Sequence, residues 1–273
     1  MAGDCGPPAP AAVTSRVLAG LRVALSMFTA LPVPRRWHDH DLDAARGALP
    51  WLPLVGAGLG GGSGLVASAV LARSDSAGLL AAALAIAALA LVTRGLHLDG
   101  LADTADGLGS RAPAERALDI MRQSDIGPFG VVTIVSVLLV DVASLATAFS
   151  GDTWRAPAAL AVAAAAGRIA VLHATLPGLP AARPGGFGAL VAGRGSLAVA
   201  VPLTVALVLA SAGLAALTDA DVLGWTIAPA AALVLAAVLT RHVARRLGGV
   251  TGDVFGALVE ITTAATLVGL ALA

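Results

Sequence analysis

Three aspartates lie four and then three residues apart in the stretch HLDGLADTADG, residues 97–107. On a helix, Asp99, Asp103 and Asp106 would project within about 60° of one another, because each residue turns the chain by about 100°. Carboxylates on one stripe repel each other unless something positive lies among them. Mg²⁺ is usually held by a few carboxylates together with substrate phosphates. The spacing therefore favours a magnesium site, and a solvated acidic face on a loop is the alternative.

An arginine follows this stretch, Arg122 in DIMRQSDIGPFG, residues 119–130. An arginine beside a metal site can clamp a phosphate group, although ordinary positive charge in a cytoplasmic loop is an equally good interpretation. His97 would lie nearly opposite the aspartates on a helix. A structural histidine at the membrane interface and a metal ligand both remain open for it.

Ionisable residues also occur inside apolar segments. Asp253 and Glu260 lie seven residues apart in GGVTGDVFGALVE, residues 248–260. Glu260 would lie about 10 Å into a membrane, given the helical rise of about 1.5 Å per residue. An acid at that depth should face the protein interior or a wet cavity. Arg168 lies similarly deep and either pairs with Asp141 or faces an anionic substrate, of which we favour the substrate.

The composition identifies the class of protein. Of 273 residues, 58% are hydrophobic and 12% are charged, whereas an average soluble domain has roughly 25% charged residues. With a mean hydropathy of +0.88, the chain holds more apolar sequence than a soluble core of this length could bury. We therefore predict an all-α polytopic membrane protein in contact with the lipid bilayer. The formal net charge of zero gives no reason to expect a nucleic-acid partner.

About seven stretches are long and apolar enough to cross a bilayer, which takes about 20 residues. They are 48–72, 77–98, 128–150, 156–176, 197–217, 222–240 and 254–273. Residues 14–31 hold two arginines and end at Pro32, which predicts an interfacial or partly inserted helix. Residues 1–13 are Pro/Ala/Gly-rich and are expected to form a disordered tail. The rest, 14–273, is predicted to be a single integral-membrane domain.

The arginines predict the orientation. They concentrate in four polar segments, which are 32–47, 99–127, 177–196 and 241–253. All four fall on one side if the seven predicted spans cross, and basic residues accumulate on the cytoplasmic side. We therefore expect these segments in the cytoplasm.

Glycines in the first predicted span match a nucleotide-binding pattern by accident. Gly56, Gly58 and Gly61 spell GxGxxG, but a dinucleotide fold needs a preceding strand and a soluble βαβ unit. The glycines at 56, 60 and 64 instead form a ridge of small residues, which predicts close packing against another helix.

Five stretches, in this order along the chain, resemble the cobalamin synthase family, the adenosylcobinamide-GDP ribazoletransferases. They are FTALPVPRRW (28–37), ARGALPWLPLVG (45–56), GLHLDGLADTADG (95–107), ALDIMRQSDIGPFG (117–130) and GGVTGDVFGALVE (248–260). The segment AARPGGFGALVAGR (181–194) matches only loosely, and no functional residue is predicted from it.

The resemblance implies an Mg²⁺-dependent enzyme of the cell (inner) membrane, with its active site on the cytoplasmic face and a homo-oligomer as a possible assembly. Its substrates would be adenosylcobinamide-GDP and α-ribazole, or α-ribazole 5′-phosphate, and its products adenosylcobalamin, or its 5′-phosphate, and GMP. The implied metal ligands are Asp99, Asp103 and Asp106. The implied catalytic residues are Asp103, Asp106 and Asp253, the last of which holds a second metal or orients the attacking hydroxyl. The candidate phosphate-binding residues are Arg46, Arg122 and Arg168.

The sequence shares some features with two other classes of protein. A CDP-alcohol phosphatidyltransferase signature is half present, because Asp103 to Arg111 match its first half apart from Ser110, but its second half fails at Ile120, Ser124 and Pro128. A transporter would use the intramembrane charges as a translocation path. Transporters often show inverted repeats and broken midplane helices, which the sequence lacks, so an enzyme is favoured.

Overall fold

The computed structural model describes residues 10–31, 46–148 and 153–273, and within those ranges it contains helices and no strand. The helices are α1 (Pro10–Phe28), α2 (Leu52–Leu71), α3 (Gly78–Val92), α4 (Leu96–Gly109), α5 (Ala114–Ile120), α6 (Pro128–Ala148), α7 (Arg155–Ala174), α8 (Gly186–Val191), α9 (Leu197–Leu217), α10 (Val222–Leu247) and α11 (Gly252–Ala271). The predicted all-α class is confirmed. Of the predicted tail, residues 1–9 lie outside the described residues, as do residues 32–45 of the first predicted cytoplasmic segment.

In the described part of the chain, six helices are each long and apolar enough to cross a membrane. They are Arg46–Leu71, which includes α2, and α6, α7, α9, α10 and α11. The chain bends by 89° between α3 and α4, and there is a seventh span if these two helices are counted together as one broken span. The prediction of a polytopic helical membrane protein with about seven spans is therefore confirmed.

The second predicted span, 77–98, is wrong at its end. α3 stops at Val92, and Arg94 and Gly95 then take left-handed backbone conformations with φ of 57° and 65°. Glycine adopts this conformation without the steric cost that a side chain adds. The turn directs α4, which carries the three aspartates, away from the axis of α3. The aspartates therefore lie on a separate helix, and they do not continue the axis of α3.

Helix α7 lies at the centre of the bundle, and α2 packs against it through glycines. A Cβ at Gly56 would lie 2.7 Å from the carbonyl oxygen of Ala164. Cβ atoms at Gly60 and Gly64 would clash with the backbone of α7 more severely still, the former at the carbonyl oxygen of Leu160. The predicted ridge of small residues is confirmed, and it allows the two helix backbones to touch.

The outer helices expose large apolar side chains. On α6 the exposed large apolar residues are Phe129, Val131, Val132, Val135, Leu139 and Val140. A continuous apolar face of this kind is expected where a helix contacts lipid rather than water. The polar groups are instead gathered inside the bundle and at its helix ends.

Candidate active site

A cavity of about 280 Å³ lies among α1, α2, α4, α7, α8 and α11. Most of its lining is aliphatic or aromatic. Four charged residues reach it, and they are Asp99, Arg168, Arg183 and Asp253. Pockets that bind small molecules typically combine an apolar lining with a few convergent polar groups.

Two glycines bring α4 and α11 into contact beside this cavity. A Cβ at Gly100 would lie 2.7 Å from the carbonyl oxygen of Asp253, and one at Gly256 would lie 3.1 Å from the carbonyl oxygen of His97. A side chain at Gly100 would therefore clash with the backbone of α11, and one at Gly256 would be tight against the backbone of α4. As a result, Asp99 on α4 and Asp253 on α11, which are far apart in sequence, line the same cavity.

Asp253 is held by a local cap and by an arginine. Thr251 is the N-cap residue of α11. Its hydroxyl accepts a hydrogen bond from the Val254 N–H at 3.2 Å and donates one to Asp253 Oδ2 at 3.2 Å. Arg183 donates from Nη2 to the same carboxylate oxygen at 2.8 Å, and both side chains are more than three-quarters buried, with 21% and 24% exposed. A charge-assisted hydrogen bond of this kind is stronger than a neutral one.

The loop that carries Arg183 is fixed through its backbone. The Val250 N–H donates to the Pro180 carbonyl at 2.9 Å, and the Ala182 N–H donates to the Val250 carbonyl at 2.9 Å. These bonds pin the segment before Arg183 to the start of α11. Sequence reasoning missed Arg183, and the signal that could have found it is an arginine followed closely by Gly185 and Gly186 in a predicted cytoplasmic loop.

Asp103 lies in a strongly negative environment. It belongs to α4, outside the six spanning helices. Burial, followed by the negative charges of Asp99, Asp253 and Asp106, raises its pKa to about 7, although Arg183 acts in the opposite direction. Three carboxylates and one arginine thus act on Asp103. The net negative charge around it would favour a nearby cation.

Asp106 has a structural role that the sequence did not predict. It is 8% exposed, and its two oxygens accept the backbone N–H groups of Gly127 at 2.8 Å and Gly130 at 3.0 Å. These amides lie at the beginning of α6, where a helix has unpaired N–H groups and favours negative charge. Asp106 therefore joins α4 to α6.

The metal ligands remain a prediction. Within the described ranges, no three His, Cys, Asp or Glu side chains converge closely enough to enclose a metal ion by themselves. Asp99 and Asp103 remain available, whereas Asp106 already accepts two amide hydrogen bonds.

Arg168 is the one of the three predicted phosphate-binding arginines that lines the main cavity. It is 6% exposed and donates from Nη1 to the Ala164 carbonyl at 3.2 Å. On its other side it borders a second, much smaller cavity together with Asp141 and Glu260. Asp141 Oδ1 has no hydrogen-bond partner in the described part of the chain, so the alternative of a hydrogen-bonded pair with Arg168 gains no support at that atom.

The other two predicted arginines lie elsewhere. Arg46 lines a separate cavity of about 80 Å³, together with Thr175 and Arg194. Arg122 is exposed in the connection between α5 and α6, where Nη1 lies 4.0 Å from Asp119 Oδ1. The structure therefore brings Asp99, Arg168 and Asp253 together at the main cavity and adds Arg183. The other predicted site residues, Asp103, Asp106, Arg46 and Arg122, are not among its lining residues.

Six or seven apolar spans and a cavity that combines carboxylates with arginines define a multi-pass membrane protein with an internal polar site. The fold by itself does not distinguish among such proteins. The family model described as cobalamin-5-phosphate synthase matches residues 20–271. The chain belongs to this family, and it is therefore a membrane transferase of cobalamin biosynthesis.

Curated relatives agree over nearly the whole chain. A protein of Frankia casuarinae is 41% identical over 92% of this chain and 94% of its own length. A protein of a Nocardioides species is 39% identical over 90% of this chain and 95% of its own length. A protein of Stutzerimonas stutzeri is 37% identical over 92% of this chain and 97% of its own length. All three are named adenosylcobinamide-GDP ribazoletransferase. No solved structure matches the chain. The family membership sets aside the phosphatidyltransferase and transporter alternatives.

Proposed function

We propose that this protein transfers the adenosylcobinamide phosphate of adenosylcobinamide-GDP to α-ribazole or α-ribazole 5′-phosphate and releases GMP. This reaction assembles the nucleotide loop of cobalamin. The observation that carries the proposal, beyond the family, is the cavity in which Arg168 and Arg183 lie together with Asp99 and Asp253. Arginines can bind a diphosphate, and carboxylates can hold a cation or orient a hydroxyl group.

The bond changes define what the site must do. The hydroxyl oxygen of the ribazole forms a bond to the cobinamide-linked phosphorus, while the bond from that phosphorus to the bridging oxygen breaks. GMP leaves with the bridging oxygen, and the hydroxyl proton passes to a base. Such a transfer depends mostly on positioning and on neutralising negative charge. Asp253, fixed by Arg183 and Thr251, is the carboxylate that we assign to orient the hydroxyl.

Two arginines are assigned to the diphosphate. Arg168 approaches the cavity from α7 and Arg183 from the loop before α8. The planar guanidinium group can donate two parallel hydrogen bonds to phosphate oxygens. Held in a largely apolar cavity, these charges act on the phosphates more strongly than they would in water. Arg46 and Arg122, which do not line this cavity, stay predictions as phosphate-binding residues.

The carboxylates fit Mg²⁺ by their chemistry. Their oxygens are the ligands that Mg²⁺ prefers. Burial and the negative charges of Asp99, Asp253 and Asp106 raise the pKa of Asp103 to about 7, and a cation would offset the repulsion among these charges. Asp99 and Asp103 would supply one or two ligands, with phosphate oxygens and water supplying the others, as is usual for Mg²⁺. Asp106 would contribute a lone pair that is not used by its two amide partners. When bound, the ion would neutralise charge on the diphosphate.

The membrane location extends the same proposal. The predicted cytoplasmic segments 99–127, 177–196 and 241–253 contain α4, Arg183 and the beginning of α11. These segments are also arginine-rich, which favours the cytoplasmic side. We therefore assign the active site to the cytoplasmic face of the inner membrane, where nucleotide-linked substrates are available.

Release of GMP tests the proposal. Purified protein supplied with adenosylcobinamide-GDP, Mg²⁺ and either ribazole should release GMP in step with corrinoid product. Arg168→Ala and Arg183→Ala should each lower kcat/KM by about 10²-fold, the scale expected for removal of a group that stabilises developing charge. Arg116→Ala, which changes an exposed arginine outside the cavity, is the matched control and should stay within about threefold.

Two results would contradict the proposal. If neither acceptor led to GMP release, the protein would not catalyse the proposed reaction. Normal kcat/KM in Arg183→Ala would leave the reaction in place but remove Arg183 from the diphosphate site.

A further inference from the structure

Four aromatic rings from four different helices form one wall of the main cavity. We call Phe28, His97, Phe187 and Phe255 the aromatic wall. The Phe28 and His97 rings are parallel, with 2° between their planes and 6.3 Å between their centroids. Phe187 meets Phe28 and Phe255 edge to face, at centroid distances of 5.2 Å and 6.3 Å.

The phenylalanines of this chain are concentrated at the cavity. The sequence contains five phenylalanines and no tyrosine, and three of the five, Phe28, Phe187 and Phe255, line this one cavity. The tryptophans of the described ranges, Trp51, Trp154 and Trp225, are not among its lining residues. The aromatic wall is therefore built from phenylalanine and histidine.

The cavity lining has an apolar part and a charged part. Aliphatic side chains of α2, among them Leu52 and Val55, continue the surface of the aromatic wall. The charged part contains the Arg183–Asp253 ion pair. The two parts meet at Phe187, because a Cβ at Gly252, the residue before Asp253, would lie 4.0 Å from the Phe187 Cβ.

The substrates offer several groups that could enter. Guanine carries hydrogen-bonding groups along its edge, and each of them needs a partner when it is buried. The aromatic wall provides polar atoms from His97 alone. A corrin ring with its substituents is far larger than a cavity of about 280 Å³. The benzimidazole-type base of a ribazole is flat and largely apolar, so it matches the wall in shape and polarity.

We propose that the aromatic wall binds the base of the ribazole acceptor and that Phe187 determines which bases fit. This inference rests on the proposed function, and it adds the location of the acceptor. A base held at the wall would place its ribose toward Asp253, the carboxylate assigned to orient the attacking hydroxyl.

Phe187 is the ring best placed to control the fit. It lies at the centre of the aromatic wall and belongs to α8, a helix of six residues. Gly185 and Gly186 precede it with φ of 86° and 73°, values that favour glycine. Gly188 follows it and packs against the start of α11, where a Cβ would lie 2.8 Å from the Gly252 nitrogen. The backbone that follows Phe187 is therefore packed closely against the start of α11.

The experiment compares Phe187→Leu with the wild type, using the full-length protein in detergent. KM should be measured for α-ribazole and for adenosylcobinamide-GDP, and equilibrium binding of α-ribazole should be measured without the second substrate. Loss of a base–aromatic contact should weaken ribazole binding and raise its KM by about tenfold or more. KM for adenosylcobinamide-GDP should change by less than about threefold. Phe129→Leu, at a phenylalanine that is 52% exposed and outside the cavity, is the matched control.

A second readout tests the control of base size. The wild type and Phe187→Leu should be compared with dimethylbenzimidazole riboside and with unmethylated benzimidazole riboside. The ratio of their kcat/KM values should be closer to one in the variant, because leucine fits the base less closely. A merely structural role of Phe187 would lower both values equally and would overturn the proposal.

The outcomes separate the two hypotheses. A rise in KM for adenosylcobinamide-GDP alone would mean that the cavity holds the other substrate, and it would overturn the inference. Unchanged ribazole binding in Phe187→Leu would overturn it as well. Absence of GMP release from the wild type would contradict the proposed function, whereas the binding measurement would still decide where the ribazole lies.

Discussion

Asp106 should stabilise the fold through two hydrogen bonds that cross between helices. Its carboxylate on α4 accepts the Gly127 and Gly130 N–H groups at the beginning of α6, at 2.8 Å and 3.0 Å. Asp106→Ala removes both acceptors and leaves the two amides without this partner. We expect the variant to insert into the membrane but to unfold more readily than the wild type.

The magnitude follows from the two contacts. A hydrogen bond to a charged group contributes about 1.5–3 kcal/mol, and loss of a helix N-cap costs about 0.5–2 kcal/mol. Because water at the membrane surface can replace part of the lost bonding, we expect Asp106→Ala to lower the free energy of unfolding by about 3 kcal/mol. Asp106→Asn keeps one carbonyl oxygen but loses the charge, so about half of that loss is expected.

Denaturant titration in detergent micelles measures the free energy of unfolding, which should decrease from the wild type to Asp106→Asn and then to Asp106→Ala. Asp99→Asn provides the matched control, because Asp99 lines the cavity on the same helix but does not cap α6. The reasoning would be refuted if Asp106→Ala unfolded within about 0.5 kcal/mol of the wild type, the range of an ordinary surface substitution.

Three further outcomes are expected. In the absence of Mg²⁺, Asp103→Asn should be no less stable than the wild type, because the substitution removes repulsion among the carboxylates. The variant should need more Mg²⁺ for activity, or its turnover should fall by about 10²-fold, which is about 2.7 kcal/mol. An unchanged rate at every Mg²⁺ concentration would contradict the metal assignment. Gly60→Val should lower the free energy of unfolding by about 1–3 kcal/mol, because its side chain would clash with the backbone of α7. In the same unfolding titration Gly58→Ala should lower it far less, because no atom lies within 4 Å of a Cβ at that position. Cysteines placed at the exposed positions Asp75 and Arg116, in a cysteine-free background, should react with an impermeant thiol reagent from opposite sides of the membrane, and labelling from the same side would overturn the predicted orientation.

Much of the fold could be predicted because the signals are local. The spans are continuous apolar runs, and the spacing of Gly56, Gly60 and Gly64 by four residues places all three on one face of a helix. The aspartates of α4 share a helix for the same reason. In each case the decisive information lies within about 20 residues of sequence.

The rest depends on contacts between distant parts of the chain. Arg183 reaches Asp253, 70 residues away, only because the loop before it is bonded to Val250. Asp106 looked like one more metal ligand, and its amide partners lie 21 and 24 residues further on. The bend after α3 arises from two backbone conformations at Arg94 and Gly95, which an apolar pattern does not report.

Because of the bend after α3, the helix α3 is shorter than the hydrocarbon core of a typical bilayer. α3 has 15 residues, which at about 1.5 Å per residue extend for about 22 Å, whereas the hydrocarbon core of a bilayer is about 30 Å thick. The difference of about 8 Å must be met by local thinning of the lipid or by α4 lying below the headgroups. In the second arrangement, the aspartates of α4 lie about 8 Å deeper than they would at the end of a full-length span. Lipids with longer acyl chains would increase this hydrophobic mismatch, so the lipid composition itself would set how easily a soluble nucleotide reaches the carboxylates.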